Sequence, residues 1–120
     1  MHWLRRRLGR ILLAFFVLVA CAIPVTAQTT NTRYVNTAST AGGTGQTNAT
    51  TGADRAYASL SEWETQRQGD LVTANTIELV HCEGSAADTT AVDILGWTTG
   101  ASNYIDIVVD PGVRHNGTYQ

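Results

Sequence analysis

Hydrophobic and polar positions fall into three successive rhythms along the 120 residues. A solid apolar block occupies residues 11–22. A helical rhythm follows, in which Leu60, Trp63, Arg67 and Leu71 share one stripe at three- and four-residue spacing. Beyond Asn75 the pattern turns extended, built on three apolar–acid–apolar triplets: Ile77-Glu78-Leu79, Val92-Asp93-Ile94 and Ile105-Asp106-Ile107. Strands are expected over 76–82, 91–97 and 104–109, which are rich in Ile, Val, Leu and aromatic residues. Gly84-Ser85-Ala86, Thr98-Thr99-Gly100 and Asp110-Pro111-Gly112 punctuate them. From Ile77 to Val92 to Ile105 the steps are 15 and 13 residues, too short for crossover helices. The loops also lack the Asn-Gly or Asp-Gly pairs that favour tight hairpins, since Asn116-Gly117 falls after the last strand.

The helix is expected to start at Ser59, because Ser59-Leu60-Ser61-Glu62 and Ser61-Glu62-Trp63-Glu64 both carry a Ser followed three residues later by Glu, the capping-box pattern. Gly69 is the expected stop, with Leu71 or Val72 as the alternative end. Two or three turns are marginal in isolation, so the Leu60/Trp63 face must dock, most naturally on the open end of a sheet or coil. Upstream, residues 28–51 are dominated by Thr, Asn, Ala and Gly, broken by one short strand at Arg33-Tyr34-Val35. Ala41-Gly42-Gly43-Thr44-Gly45 has no apolar periodicity and is expected as a flexible surface loop.

The first block has its own meaning. Arg5, Arg6, Arg7 and Arg10 precede it, and Pro24 then Val25-Thr26-Ala27 follow, so residues 1–27 have the basic, apolar and small-residue order of a secretory signal peptide cleaved before Gln28. The apolar run is well short of the ~20 residues that span a bilayer. Leu18-Val19-Ala20-Cys21 resembles a lipobox, which makes a lipoprotein anchored at Cys21 the alternative to simple export.

Without residues 1–27 the chain has 120 − 27 = 93 residues, and Arg33, Arg55, Arg67 and Arg114 stand against ten acids, a net charge of 4 − 10 = −6 with no lysine. That balance excludes nucleic acid and anionic membrane surfaces as partners, whose affinity comes from Lys and Arg. Cys82 is the only cysteine left, so no internal disulfide supports a small core.

Taken in order, Arg33-Tyr34-Val35-Asn36, the Gly42-Gly43-Thr44-Gly45 loop, Gly52-Ala53-Asp54-Arg55-Ala56-Tyr57-Ala58-Ser59-Leu60 and the short strands resemble the N-terminal entry of secreted right-handed parallel β-helix proteins of the pectate-lyase-like superfamily. There a "YYV" strand, a Gly-rich loop and a "PF-A-T/S-L" segment lead into a capping helix and the first coils. The resemblance covers about residues 33–109. It implies a mainly β fold: an entry strand and loop over 28–58, then a capping helix and first coil over 59–120. Two departures matter. The Gly-rich loop reads Gly-Gly-Thr-Gly-Gln, without the acids that many members place there to bind calcium. The chain also holds about one turn of coil, whereas solenoids need about three repeats. A partial solenoid is therefore expected, or one that completes its core by self-association.

Candidate chemistry is thin. Glu78, Asp93 and Asp106 hold equivalent places in their triplets, and if stacked on neighbouring strands they would suit Ca²⁺. Strand alternation accounts for them without a ligand, as outward polar positions on half-buried strands. His81-Cys82-Glu83 sets three ligand types side by side, but neighbours in a strand face opposite ways, and Cys82 fits a buried filler. His81 is wrongly oriented to serve as a base for a Cys82 nucleophile, which leaves only the distant His115. Trp63, Trp97, Tyr104 and Tyr119 suit either sugar stacking or core packing, and aromatics favour the core. The lyases that the chain resembles use calcium and a basic side chain. Here no lysine exists and Arg114 is the only arginine at or after the strands, so such machinery would lie beyond Gln120.

The expectation is an exported structural segment with no catalytic, cofactor or metal residue of its own, part of a protein that binds or degrades extracellular polysaccharide. A non-enzymatic surface adhesin or structural solenoid is the second reading. A small independent carbohydrate-binding module using Trp97 and Tyr104 is the third.

Overall fold

A computed structural model describes residues 26–114. Its architecture is mainly β: a three-stranded parallel sheet in the order β1-β2-β3, with β1 at Thr29–Asn36, β2 at Thr76–Glu83 and β3 at Ile105–Val109. Two short helices, α1 at Leu60–Arg67 and α2 at Leu71–Ala74, lie in the connection between β1 and β2. The expected strands at 76–82 and 104–109 are present almost to the residue, and the strand around Arg33-Tyr34-Val35 extends back to Thr29.

Register explains how the chain winds. Thr29 pairs with Thr76 and Glu78 with Ile105, so each connection returns the chain to the same place on the neighbouring strand. The first connection does contain helices, and the second, 84–104, makes its parallel return with none. The second lies alongside the first. Trp97 stacks on Trp63 with ring centroids 5.4 Å apart, Leu95 N–H donates to Glu64 Oε1 at 3.0 Å, and Thr98 exchanges backbone hydrogen bonds of 3.0 Å with Gly69 and Leu71.

These contacts overturn the strand expected over 91–97. No strand forms there: the Leu95 N–H goes to the Glu64 side chain of α1, Trp97 packs on Trp63, and Ile94 and Leu95 stay exposed. Gly96 has φ +71°, a left-handed turn that ends any extended run at this point.

The helix begins where the capping pattern puts it. Ser59 Oγ accepts the Glu62 N–H at 3.1 Å, while the Glu62 carboxylate turns back to the amides of Ala58 and Gly42. Helical dihedrals stop at Arg67, and Asp70 recaps the short α2 by accepting from the Thr73 amide at 2.9 Å. Trp63 and Leu71 of the stripe are buried, and Leu60 and Arg67 are half-buried against the same core.

The loop at 42–45 is fastened rather than flexible. Gly45 donates to Arg55 O and accepts from Tyr34 N–H, both at 2.9 Å, and the Arg55 guanidinium bonds the carbonyls of Thr40, Ala41 and Gly52. Gly45 sits at φ +66° with the Tyr57 ring where a Cβ would stand, so both backbone conformation and space require glycine. Tyr57 bridges Val35 in parallel, and this segment covers the outer edge of the carboxyl half of β1. Val35, Tyr57, Trp63 and Val80 form the core, with Leu60, Cys82, Trp97 and Ile105 packed on it.

Candidate functional site

Alternation along β2 puts Thr76, Glu78 and Val80 on the face turned towards α1. Glu78 is therefore an inward residue, fully buried at 0 % exposure. The triplet pattern correctly sets it opposite Ile77 and Leu79, but the face those two occupy is the less buried one. Burial of a carboxylate demands compensation, and Arg67 supplies it from α1: Nε lies 2.7 Å from Oε1 and Nη2 2.9 Å from Oε2. Trp63 Nε1 adds a third donor to Oε1 at 3.3 Å. The hydrogen bond to Glu78 raises the Arg67 pKa above its ordinary value, against the opposing effect of burial. Both carboxylate oxygens are occupied, so Glu78 is structural.

The other triplet acids do not join it. Asp106 pairs in register with Leu79 on the opposite face, and Asp93 lies outside any strand. Among the described residues no group of three or more His, Cys, Asp or Glu is arranged to hold a metal ion.

A different set of polar residues meets at the carboxyl ends of the strands. The outward face carries Tyr34 beside His81 and Asn36 beside Glu83, by register. Asp110 follows the last residue of β3. Tyr34 and His81 stack with centroids 5.4 Å apart, and His81 Nδ1 lies 2.8 Å from Asp110 Oδ1. Asn36 Nδ2 donates to Asn48 Oδ1 at 2.9 Å. Sequence reasoning missed this cluster because the contact of His81 with Asp110 depends on the pairing of β2 with β3. The turn residues Asp110-Pro111-Gly112 gave no hint of it.

Cys82 faces the other way, as expected, and burial foremost pushes its thiol pKa up, so it stays protonated at neutral pH. It lines a cavity of about 220 Å³ with Val35, Leu60, Val109 and Val113. This cavity opens on the least covered part of the molecule. Ile105, Ile107 and Val109 occupy the inward positions of β3, in register with Glu78, Val80 and Cys82, yet Ile107 is 40 % and Val109 45 % exposed. Tyr104, Ile94, Leu95 and Val113 extend the apolar surface.

Trp63 is core, and Trp97 spends one ring face on it. Tyr104 is exposed. Tyr119, His115 and the proposed signal and lipobox residues before Thr26 lie outside the described residues. Among the described residues no helix is long and apolar enough to cross a membrane. No family model, curated protein or solved structure matches the chain.

Proposed function

We propose that this chain is the entry segment of an exported right-handed parallel β-helix, with residues 1–27 directing export and residues 28–114 forming the closed end and first coils. The reading rests on an asymmetry of the sheet. One edge, at β1, is covered over its carboxyl half by the 45–57 segment through Tyr34, Gly45 and Tyr57. At the other edge, β3 presents apolar inward side chains that are two-fifths or more exposed at Ile107 and Val109. The stacked Trp63–Trp97 pair and the in-register parallel strands support the reading, since successive coils of a solenoid make ladder contacts of this kind.

The role is structural: a covered end stops uncontrolled edge pairing, and an open end accepts the next coil. The resemblance alone assigns extracellular polysaccharide to the complete solenoid as ligand or substrate, an argument from fold and not from a site. An adhesin built on the same solenoid uses this segment in the same way.

The open face gives the test. The purified protein is expected to bind the apolar dye ANS and to self-associate as concentration rises, because a contiguous apolar patch next to an open strand edge is a docking surface. Ile107→Lys is expected to abolish both effects and leave the free energy of urea unfolding within about 0.5 kcal/mol of wild type, as for other partly exposed positions. A wild-type protein that stays monomeric and dye-free in sedimentation and fluorescence measurements would contradict the reading.

A further inference from the structure

The loop between β1 and α1 carries a signal that the structural role leaves unused. Asn48-Ala49-Thr50 has the order in which sugar is attached to asparagine along a secretory route: Asn, any residue but Pro, then Ser or Thr. Among the asparagines of the chain only Asn116, in Asn116-Gly117-Thr118, repeats it, and that residue lies outside the described ones. So short an order also arises by chance. Its meaning depends on where the fold places it, since an acceptor must sit on a surface loop.

The fold places Asn48 there. Thr47 donates to Asp54 O through its N–H at 2.9 Å and its hydroxyl at 3.0 Å, and Ala49 O accepts from the Ala56 N–H at 2.8 Å. Asn48 lies exposed between these two fastened residues. Its side chain has a fixed sense. The Ala38 N–H can only donate, so the Asn36 atom that it meets at 3.0 Å is Oδ1, and the other atom of that amide is Nδ2. Nδ2 in turn can only donate, so the Asn48 atom 2.9 Å from it is Oδ1. The Asn48 carboxamide is therefore held by its oxygen, which turns Nδ2, the atom that accepts sugar, away from Asn36.

We infer that Asn48 is an acceptor for N-linked oligosaccharide, an inference that rests on the export reading. The co-substrate is an oligosaccharide joined through its anomeric carbon to a lipid pyrophosphate. Asn48 Nδ2 forms a bond to that carbon, the bond from carbon to pyrophosphate oxygen breaks, the lipid pyrophosphate leaves, and Nδ2 gives up one proton. Its second hydrogen stays, so the product keeps both the Oδ1 contact and a donor. Thr50 supplies the hydroxyl that the transferring enzyme reads two residues on.

The position suits the architecture. The 45–57 segment covers the carboxyl half of the outer edge of β1, and β3 lies at the opposite edge of the sheet. Sugar at Asn48 adds hydrophilic bulk to the closed edge and leaves the open edge clear.

The test uses the full chain, with its own residues 1–27, expressed in a eukaryotic secretory host. Peptide N-glycosidase converts a sugar-bearing asparagine to aspartate, so peptide mass spectrometry reads positions 48 and 116 separately. Secreted wild type is expected to lack residues 1–27 and to carry sugar on Asn48. That sugar should be lost in Asn48→Gln and in Thr50→Ala, and kept in Thr50→Ser. Wild type secreted without its leader yet unmodified at Asn48 would overturn the inference and leave the export reading standing. A chain that keeps its leader and stays inside the cell would overturn both.

Discussion

Replacing Arg67 by alanine destabilises the fold by about 3–5 kcal/mol, the scale seen when one partner of a buried ion pair is removed. The size follows from the asymmetry of the pair: the Arg67 side chain is a quarter exposed, but Glu78 is wholly enclosed and is left with only Trp63 Nε1 as donor. A domain of this size has about 5–15 kcal/mol in total, so the variant loses a large fraction of its stability. Urea unfolding measures the loss. The paired substitution Arg67→Met with Glu78→Leu should cost less than Arg67→Ala alone, because it removes the orphaned charge as well as the bond. Some cost remains, since Trp63 Nε1 then lacks its acceptor, worth about 1–3 kcal/mol. A loss below about 1 kcal/mol for Arg67→Ala would mean that the pair behaves as a solvated surface contact.

Trp63→Ala is the second large effect, expected at about 3–5 kcal/mol. Trp63 is 0 % exposed and does three things at once: it fills the space between α1 and β2, stacks on Trp97, and donates to Glu78. Trp63→Phe keeps much of the volume and part of the stacking but loses the donor, so it should fall between wild type and Trp63→Ala. Thermal unfolding separates the three, since each kcal/mol shifts the midpoint by about 4–8 °C in a domain of this size. Near-equal midpoints for wild type and Trp63→Ala would show that the two connections do not meet at this residue.

How far the sequence foretells this structure depends on whether an element is decided locally. The start of α1 was legible because a cap is made by residues three apart, Ser59 and Glu62. β2 and β3 were legible from their β-branched runs. The segment at 91–97 has similar composition but is held by Glu64 and Trp63, partners that lie far off in sequence, and tertiary contacts override its propensity.

The acids repeat this lesson. Glu78, Asp93 and Asp106 look alike in sequence, yet one is buried, one is outside any strand and one is on the opposite face. A signal for Glu78 did exist: Arg67 lies on the inward stripe of the helix with Leu60 and Trp63, and an inward arginine needs a carboxylate. The contact of His81 with Asp110 had no such local signal, because only the pairing of β2 with β3 brings it together.

The central claim is that the sheet has one closed edge and one open edge, and residue-resolved hydrogen exchange at low protein concentration tests it most directly. Backbone groups alternate along a strand, and the bonds from Glu78 N–H to Tyr104 O and from Asp110 N–H to Cys82 O set the phase of β3. The amides of Asp106, Val108 and Asp110 then face β2 and should exchange slowly, while those of Ile105, Ile107 and Val109 face solvent and should exchange fast. Equal protection of both sets would show that the β3 edge is covered and would contradict the account.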